Sequence, residues 1–173
     1  MAWTTPKTYA ANDILTAADM NTYQRDNLSW LGTDRFRASG VRSTSLSVTD
    51  NTITAVTLPD TEDFDTGAMH DVTTNSERLT VPTGGDGLYL VLGGVAWAAN
   101  SAGRRILSLL VNGVAVAGVG ATTNPDPGGS TVQRFSHLVE LVAGDYLHMT
   151  GQQTSGGALN LTNARLQAIW MTT

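Results

Sequence analysis

Runs of alternating apolar and polar residues, each closed by a glycine-rich turn, recur between Arg78 and Leu161 and commit this chain to β-structure. One clear run is Leu138-Val139-Glu140-Leu141-Val142-Ala143-Gly144-Asp145-Tyr146-Leu147-His148-Met149. Period two puts Leu147 and Met149 on one face and Tyr146 and His148 on the other. Gly144-Asp145 is a tight-turn pair, because glycine tolerates positive φ and aspartate bonds its own backbone, so the run reads as a β-hairpin. Asn112-Gly113, between runs 104–111 and 114–119, is the strongest short hairpin signal in the chain. Residues 88–98 are nearly all apolar and predict a central strand covered on both faces. Further strands are expected over 45–48, 52–58, 78–81, 131–142, 146–152 and 158–170, with a short segment at 64–69. Residues 59–63 and 82–87 read as turns and 121–130 as a long Pro/Gly loop. About ten short strands with local reversals predict an all-β jelly-roll or similar sandwich.

The first 32 residues differ in kind. Thr16 is placed to cap a helix, with Asp19 three residues on, and the helix is expected over 17–31 with Gly32 ending it. Met20, Tyr23, Asn27, Leu28 and Leu31 fall on one broad side. Trp3, Tyr9, Ile14 and Leu15 precede it in a stretch too irregular to form a core alone. Trp3, Tyr9, Ile14, Leu15, Met20, Tyr23, Leu28 and Leu31 are therefore the expected attachment residues, with a helix packed on its own domain as the plainer reading. The expected division is an attachment segment (1–32), a connector (33–42) carrying Arg35, Arg37 and Arg42, and a β head (43–173).

At 173 residues the chain suits one well-buried domain with an appendage. Its ten cationic residues are scattered and its net charge is −5, which leaves no basic stripe for nucleic acid. With no cysteine there is no disulfide and no thiolate chemistry. The N-terminus has no apolar stretch of signal-peptide type, and no apolar run approaches the ~20 residues that span a bilayer. The expectation is a protein made in the cytosol that stays there or leaves as part of a particle, without membrane insertion.

The head resembles the C1q/TNF-like jelly-roll family. The resemblance is carried by Phe64-Asp65, Arg78-Leu79-Thr80-Val81-Pro82, Gly87-Leu88-Tyr89-Leu90-Val91, Leu110-Val111-Asn112-Gly113, Leu138-Val139-Glu140-Leu141 and Gly144-Asp145-Tyr146-Leu147, across about residues 43–171. The final strand departs from the family, using Leu166-Gln167-Ala168-Ile169-Trp170. The N-terminal segment, with Trp3-Thr4-Thr5-Pro6, Leu15-Thr16-Ala17-Ala18-Asp19-Met20-Asn21 and Arg25-Asp26-Asn27-Leu28, resembles a module of tailed-bacteriophage tail-associated structural proteins. Together these resemblances imply a virion protein on the particle surface, a homotrimer whose N-terminal segment docks on other virion proteins of the tail or capsid.

Chemistry-bearing residues are few. Asp60, Glu62, Asp63 and Asp65 form an acidic cluster without the glycine-spaced loop of an EF-hand, so no metal is assigned. His70, His137 and His148 lack zinc-site spacing. No G-x-S-x-G is present, Ser155-Gly156-Gly157 reads as a turn, and Gly84-Gly85-Asp86-Gly87 leads into a strand and cradles no phosphate. No cofactor is expected. Recognition is assigned to the loops 99–103, 121–130 and 152–157, with Asn100, Arg104, Asn124, Asp126, Gln152 and Gln153 as candidate receptor-binding residues. Three copies would add avidity toward a repetitive host cell-wall glycan. The expected function is a non-enzymatic minor tail or tail-fibre-like protein whose head faces outward for host attachment. A capsid decoration protein or head fibre is the alternative, favoured by the lack of a long shaft. A glycan-cleaving enzyme stays open and would need paired carboxylates ~5 to 9 Å apart.

Overall fold

A computed structural model describes residues 4–32, 35–126 and 128–172, which divide into a unit of residues 1–35 and a head of residues 36–173. Among the described residues the head holds eleven strands: β1 (Arg37–Arg42), β2 (Leu46–Val48), β3 (Thr54–Ala55), β4 (Thr61–Thr66), β5 (Arg78–Thr80), β6 (Gly87–Trp97), β7 (Arg105–Val111), β8 (Val114–Thr123), β9 (Thr131–Leu141), β10 (Tyr146–Gln153) and β11 (Leu159–Thr172). They form two antiparallel sheets. One runs β4-β1-β11-β6-β9 with β2 beside β11, and the other runs β3-β10-β7-β8 with β5 beside β10.

The core lies between the sheets, and period-two alternation decides which residues fill it. Tyr89, Val91, Val95 and Trp97 of β6 face inward with Leu107 and Leu109 of β7 and Leu147 and Met149 of β10, all buried. Gly93 and Gly151 fall on the same inward parity. A Cβ on Gly93 would stand 2.1 Å from the Phe135 ring, and one on Gly151 would stand 3.2 Å from the Trp97 ring, so each glycine yields its place to an aromatic. In β11 the inward set changes from Leu159 and Leu161 to Ala164, Leu166, Ala168 and Trp170. A bulge between Leu161 and Asn163 absorbs this change of parity, letting one 14-residue strand keep a single face in the core.

Two turns that look alike in sequence behave differently. Val111 pairs with Val114 around Asn112 (φ 51°) and Gly113 (φ 82°), a two-residue hairpin with both central residues left-handed. Gly144-Asp145 does not close a hairpin: β9 pairs with β6, whereas β10 pairs with β7, β5 and β3. The turn hands the chain from one sheet to the other. The Gly144 N–H donates to the Val81 carbonyl at 2.9 Å, and the Val81 N–H donates to the Asp145 carbonyl at 2.8 Å. The Asn112 side-chain amide donates to Asp145 Oδ1 at 2.7 Å, and Asn112 Oδ1 accepts from the Tyr146 N–H at 2.9 Å.

Other expectations are corrected. Residues 37–42 are strand β1, and not a connector, because Ala38, Ser39 and Gly40 are small enough to be buried between β4 and β11. Residues 61–66, which overlap the expected turn at 59–63, form β4, and β8 runs on to Thr123 inside the expected loop. β6 is covered on its inner face only; Leu88, Leu90 and Leu92 on its outer face are half-buried, with no further layer of the head over them.

In the N-terminal unit the helix is α-helical at Ala17–Asp19, π-helical over Met20–Asp26 and α-helical again at Asn27–Gly32. Thr16 and Asp19 form a reciprocal capping box. Where the π-helical stretch ends, the Asn27 side-chain amide donates to the Tyr23 carbonyl at 3.2 Å, while the Asn27 backbone N–H donates to the Gln24 carbonyl. The same side chain accepts from the Thr4 N–H at 2.9 Å and donates to the Thr4 carbonyl at 2.8 Å, binding the strap before the helix to its side. No helix among the described residues is long and apolar enough to cross a membrane.

A Cβ at position 40 would stand 2.9 Å from both His70 Nε2 and Leu58 Cδ1, whereas one at position 157 meets nothing within 4 Å. Gly40→Ala is expected to lower unfolding stability by about 1–3 kcal/mol through overpacking. Gly157→Ala should stay within about 0.5 kcal/mol of the parent in the same denaturant titration.

Candidate functional site

The register of the sheets gathers the three loops expected to carry recognition at one pole of the head. Trp97 pairs with Thr131 and Leu161, and Arg105 with Gln153 and Thr123, so the connections 98–104, 124–130 and 154–158 all leave from that end. The chain enters at the opposite pole, where the Phe36 carbonyl accepts from the Trp170 N–H beside the turn at 142–145.

A buried polar network shapes the loop pole. Arg105 is fully buried, and its guanidinium donates to the carbonyls of Ala102 at 2.9 Å and Arg104 at 3.3 Å through one nitrogen and to that of Asn100 at 3.0 Å through the other. Burial pulls its pKa below the ordinary guanidinium value, and its Nε has no hydrogen-bond partner. This cation thus organises loop carbonyls without a counter-carboxylate among the described residues. Gln133, also buried, donates to the Arg105 carbonyl at 3.0 Å and the Ala121 carbonyl at 2.8 Å, and accepts from the Trp97 indole at 2.9 Å. Thr154 closes the set: its hydroxyl accepts from the Arg104 N–H at 2.9 Å, and its own N–H donates to the Arg104 carbonyl at 3.1 Å.

The candidate residues separate on this frame. Arg104, Asn124 and Asp126 are exposed, and Asn100 and Gln152 are half-buried. Asn100 Oδ1 caps the Ala102 N–H at 2.8 Å, and Asp126 Oδ1 caps that of Gly128 at 2.9 Å. Gln153 is corrected: it is fully buried, donating to Val48 and Gly157 carbonyls at 3.0 and 2.7 Å and accepting from Ser155. Arg105, Gln133 and Thr154 were not singled out by sequence, although Arg105 and Gln153 share the inward parity of Leu107 and Met149 on their own strands.

The acidic cluster resolves into separate duties. Asp60 accepts from the backbone N–H and hydroxyl of Ser43 at 2.6 and 2.8 Å and from the Thr44 N–H at 2.8 Å, which holds its carboxyl down at about 2. Glu62 meets His70 Nδ1 at 2.9 Å, and His70 Nε2 faces the Ser76 carbonyl at 3.1 Å. Asp63 pairs with Arg165 at 3.1 Å, and Asp65 accepts from the N–H groups of Met69 and His70. Asp71 is held at about 2, first by the Thr73 hydroxyl. Among the described residues no three His, Asp or Glu side chains gather as a metal site. His148 lies beside Tyr146 with ring centroids 5.7 Å apart, and burial lowers its pKa. His137 lies half-buried on β9 opposite Val91.

Two apolar surfaces stand open. On the outer side of the larger sheet, Ile169, Leu90 and Leu138 are in register across three strands. β8 is an uncharged edge strand with Val114, Ala115 and Ala117 exposed. In the N-terminal unit, Tyr9, Ile14, Leu15, Met20, Leu28 and Leu31 are exposed and Tyr23 is half-buried, while Trp3 lies outside the described residues.

This order of strands and sheets is that of the C1q/TNF-like jelly-rolls. No protein-family model matches the chain, and no curated protein sequence does. Among solved structures it is similar to the vertex protein P5 of PRD1, at 15% identity and a TM-score of 0.60, covering 82% of this chain and 100% of that one. It is similar also to the globular domain of zebrafish complement 1qA, at 13% identity and a TM-score of 0.58, covering 80% and 98%. Murine APRIL matches at 12% identity with a TM-score of 0.52, covering 78% and 99%.

The depressed carboxyls of Asp60 and Asp71 set an acid limit. Their charged forms gain hydrogen bonds in the folded state, so the stability they add is full above the ordinary value of 3.8 and is lost as pH falls toward about 2. Asp60→Asn should flatten that fall in a thermal melt series between pH 4 and pH 2. Gln153→Ala should cost about 1–3 kcal/mol at neutral pH, since it strands buried carbonyls.

Proposed function

We propose that this protein is a non-enzymatic structural component of a bacteriophage virion, a homotrimer attached through residues 1–32 with its head facing outward. The observation that carries the reading is polarity: the chain enters the head at one pole, and the recognition loops leave from the other. A head attached at the first pole would offer Arg104, Asn124 and Asp126 to a surface beyond, with a repetitive cell-wall glycan as the target in keeping with three weak copies. The exposed apolar residues of the N-terminal unit suit burial against other virion proteins.

The trimer is supported by the two open apolar surfaces. They are different surfaces, an edge strand and a sheet face, so each copy can offer its β8 edge to the next copy's outer face, and such head-to-tail contacts close into a ring. The N-terminal resemblance supports a location on the tail. The second reading, a capsid decoration protein or head fibre, is favoured by similarity to a protein named for a vertex.

Sedimentation of the full chain should give a trimer, and a chain lacking residues 1–32 should remain trimeric while failing to join particles; a monomeric full chain overturns the ring. Immunogold labelling of intact virions should mark the tail, and label confined to the shell supports the second reading instead. Purified host cell wall should retain the trimer at micromolar concentration, and release of reducing sugar would defeat the non-enzymatic assignment.

A further inference from the structure

The outer face of the larger sheet holds a feature that host attachment does not use. Gly94 of β6 lies in register between Arg165 of β11 and Arg134 of β9. Neighbouring strands lie about 4.8 Å apart, so the two arginines root roughly 10 Å from each other on one face. The missing side chain at Gly94 leaves a depression between them, with a volume of about 440 Å³, whose wall also includes Val41, Ser43 and Asn163. A Cβ on Gly94 would meet Arg134 Cγ at 3.3 Å, so the glycine lets the Arg134 stem lie across the sheet.

Charge is distributed unevenly around this depression. Asp60 and Asp63 stand on the β1 side, where Asp60 is engaged by Ser43 and Thr44, and Asp63 pairs with Arg165 at 3.1 Å. On the β9 side Arg134 is exposed, and among the described residues no carboxylate or other hydrogen-bond partner meets its guanidinium. Arg165 is itself half-exposed in its pair with Asp63, and five N–H donors exceed what one carboxylate takes up. In a chain of net charge −5, this is a local cationic cup with a preformed floor and one uncommitted planar fork.

We propose that the Gly94 cup is a binding site for a small multivalent oxyanion, taken between the Arg134 and Arg165 guanidinium groups. A tetrahedral oxyanion accepts bidentate bonds from Arg134 and shares the remaining donors of Arg165, which a monovalent halide cannot do. The site stands on the head of a single chain and does not depend on the ring. If copies meet through this face, the same anion offsets repulsion among arginines brought together there.

The test is calorimetric titration of the full chain with inorganic phosphate at constant ionic strength, using chloride as the balancing salt. Saturable binding at one site per chain is expected. Arg134→Gln should weaken it about tenfold or more, the loss of a charge-assisted contact, while Arg25→Gln in the N-terminal unit leaves it unchanged. Matching phosphate-free melting curves confirm that the variants are folded, and Gly94→Ala, which keeps both guanidinium groups, should bind more weakly than the parent. Phosphate heats that do not saturate, or equal binding by Arg134→Gln, overturn the proposal. Sedimentation on the same samples separates it from the ring: a monomer that binds phosphate keeps the site and loses the ring, whereas a trimer that does not bind loses the site alone.

Discussion

Burial of one face of β6 and β11 against one face of β7 and β10 is the interaction on which the rest depends. Tyr89, Trp97, Trp170, Leu107, Leu109, Leu147 and Met149 supply most of the bulk, and their removal from water at about 25 cal/mol per Å² offsets the entropy of ordering long strands. Small residues elsewhere answer to that packing. Gly93 makes way for Phe135, Gly151 for Trp97, and Gly40 for His70 and Leu58. The loop pole answers to it as well, because Trp97 ends in a bond to Gln133, and Gln133 fixes the Arg105 carbonyl, at the residue where the loop around the guanidinium ends.

Much of this was legible in sequence, and the failures have physical causes. Alternation located β7, β9, β10 and β11, since a half-buried strand must write its two faces at period two, whereas β6 showed itself as a nearly continuous apolar run. It did not locate β1, whose Arg-Ala-Ser-Gly-Val-Arg has no apolar rhythm; small size, and not hydrophobicity, puts its middle in the interior. Gly144-Asp145 looked like a hairpin because turn chemistry specifies where a chain reverses and says nothing of the sheet it joins next. Asn112-Gly113 was read correctly because its geometry leaves only two residues between partners.

Of the candidate residues, Gln153 is the one whose burial the sequence reading missed. Loops 99–103, 121–130 and 152–157 do converge, but through a strand order that local patterns cannot supply. Gln153 was assigned to a loop although the parity of Leu147 and Met149, carried forward, turns it inward. The same rule turns Arg105 inward. Polar residues on a core parity mark the scaffold of a loop pole, and their neighbours on the opposite parity mark its surface.

The placement of Phe36 and the loops at opposite poles also fixes how the head meets force. Tension applied between Phe36 and the loop pole would run along the strand axes, so that β1 would be pulled lengthwise between β4 and β11. Its bonds to both neighbours, from Arg37 opposite Ile169 to Arg42 opposite Ala164, are then sheared together and not peeled one by one. A domain so arranged resists as a block and yields abruptly.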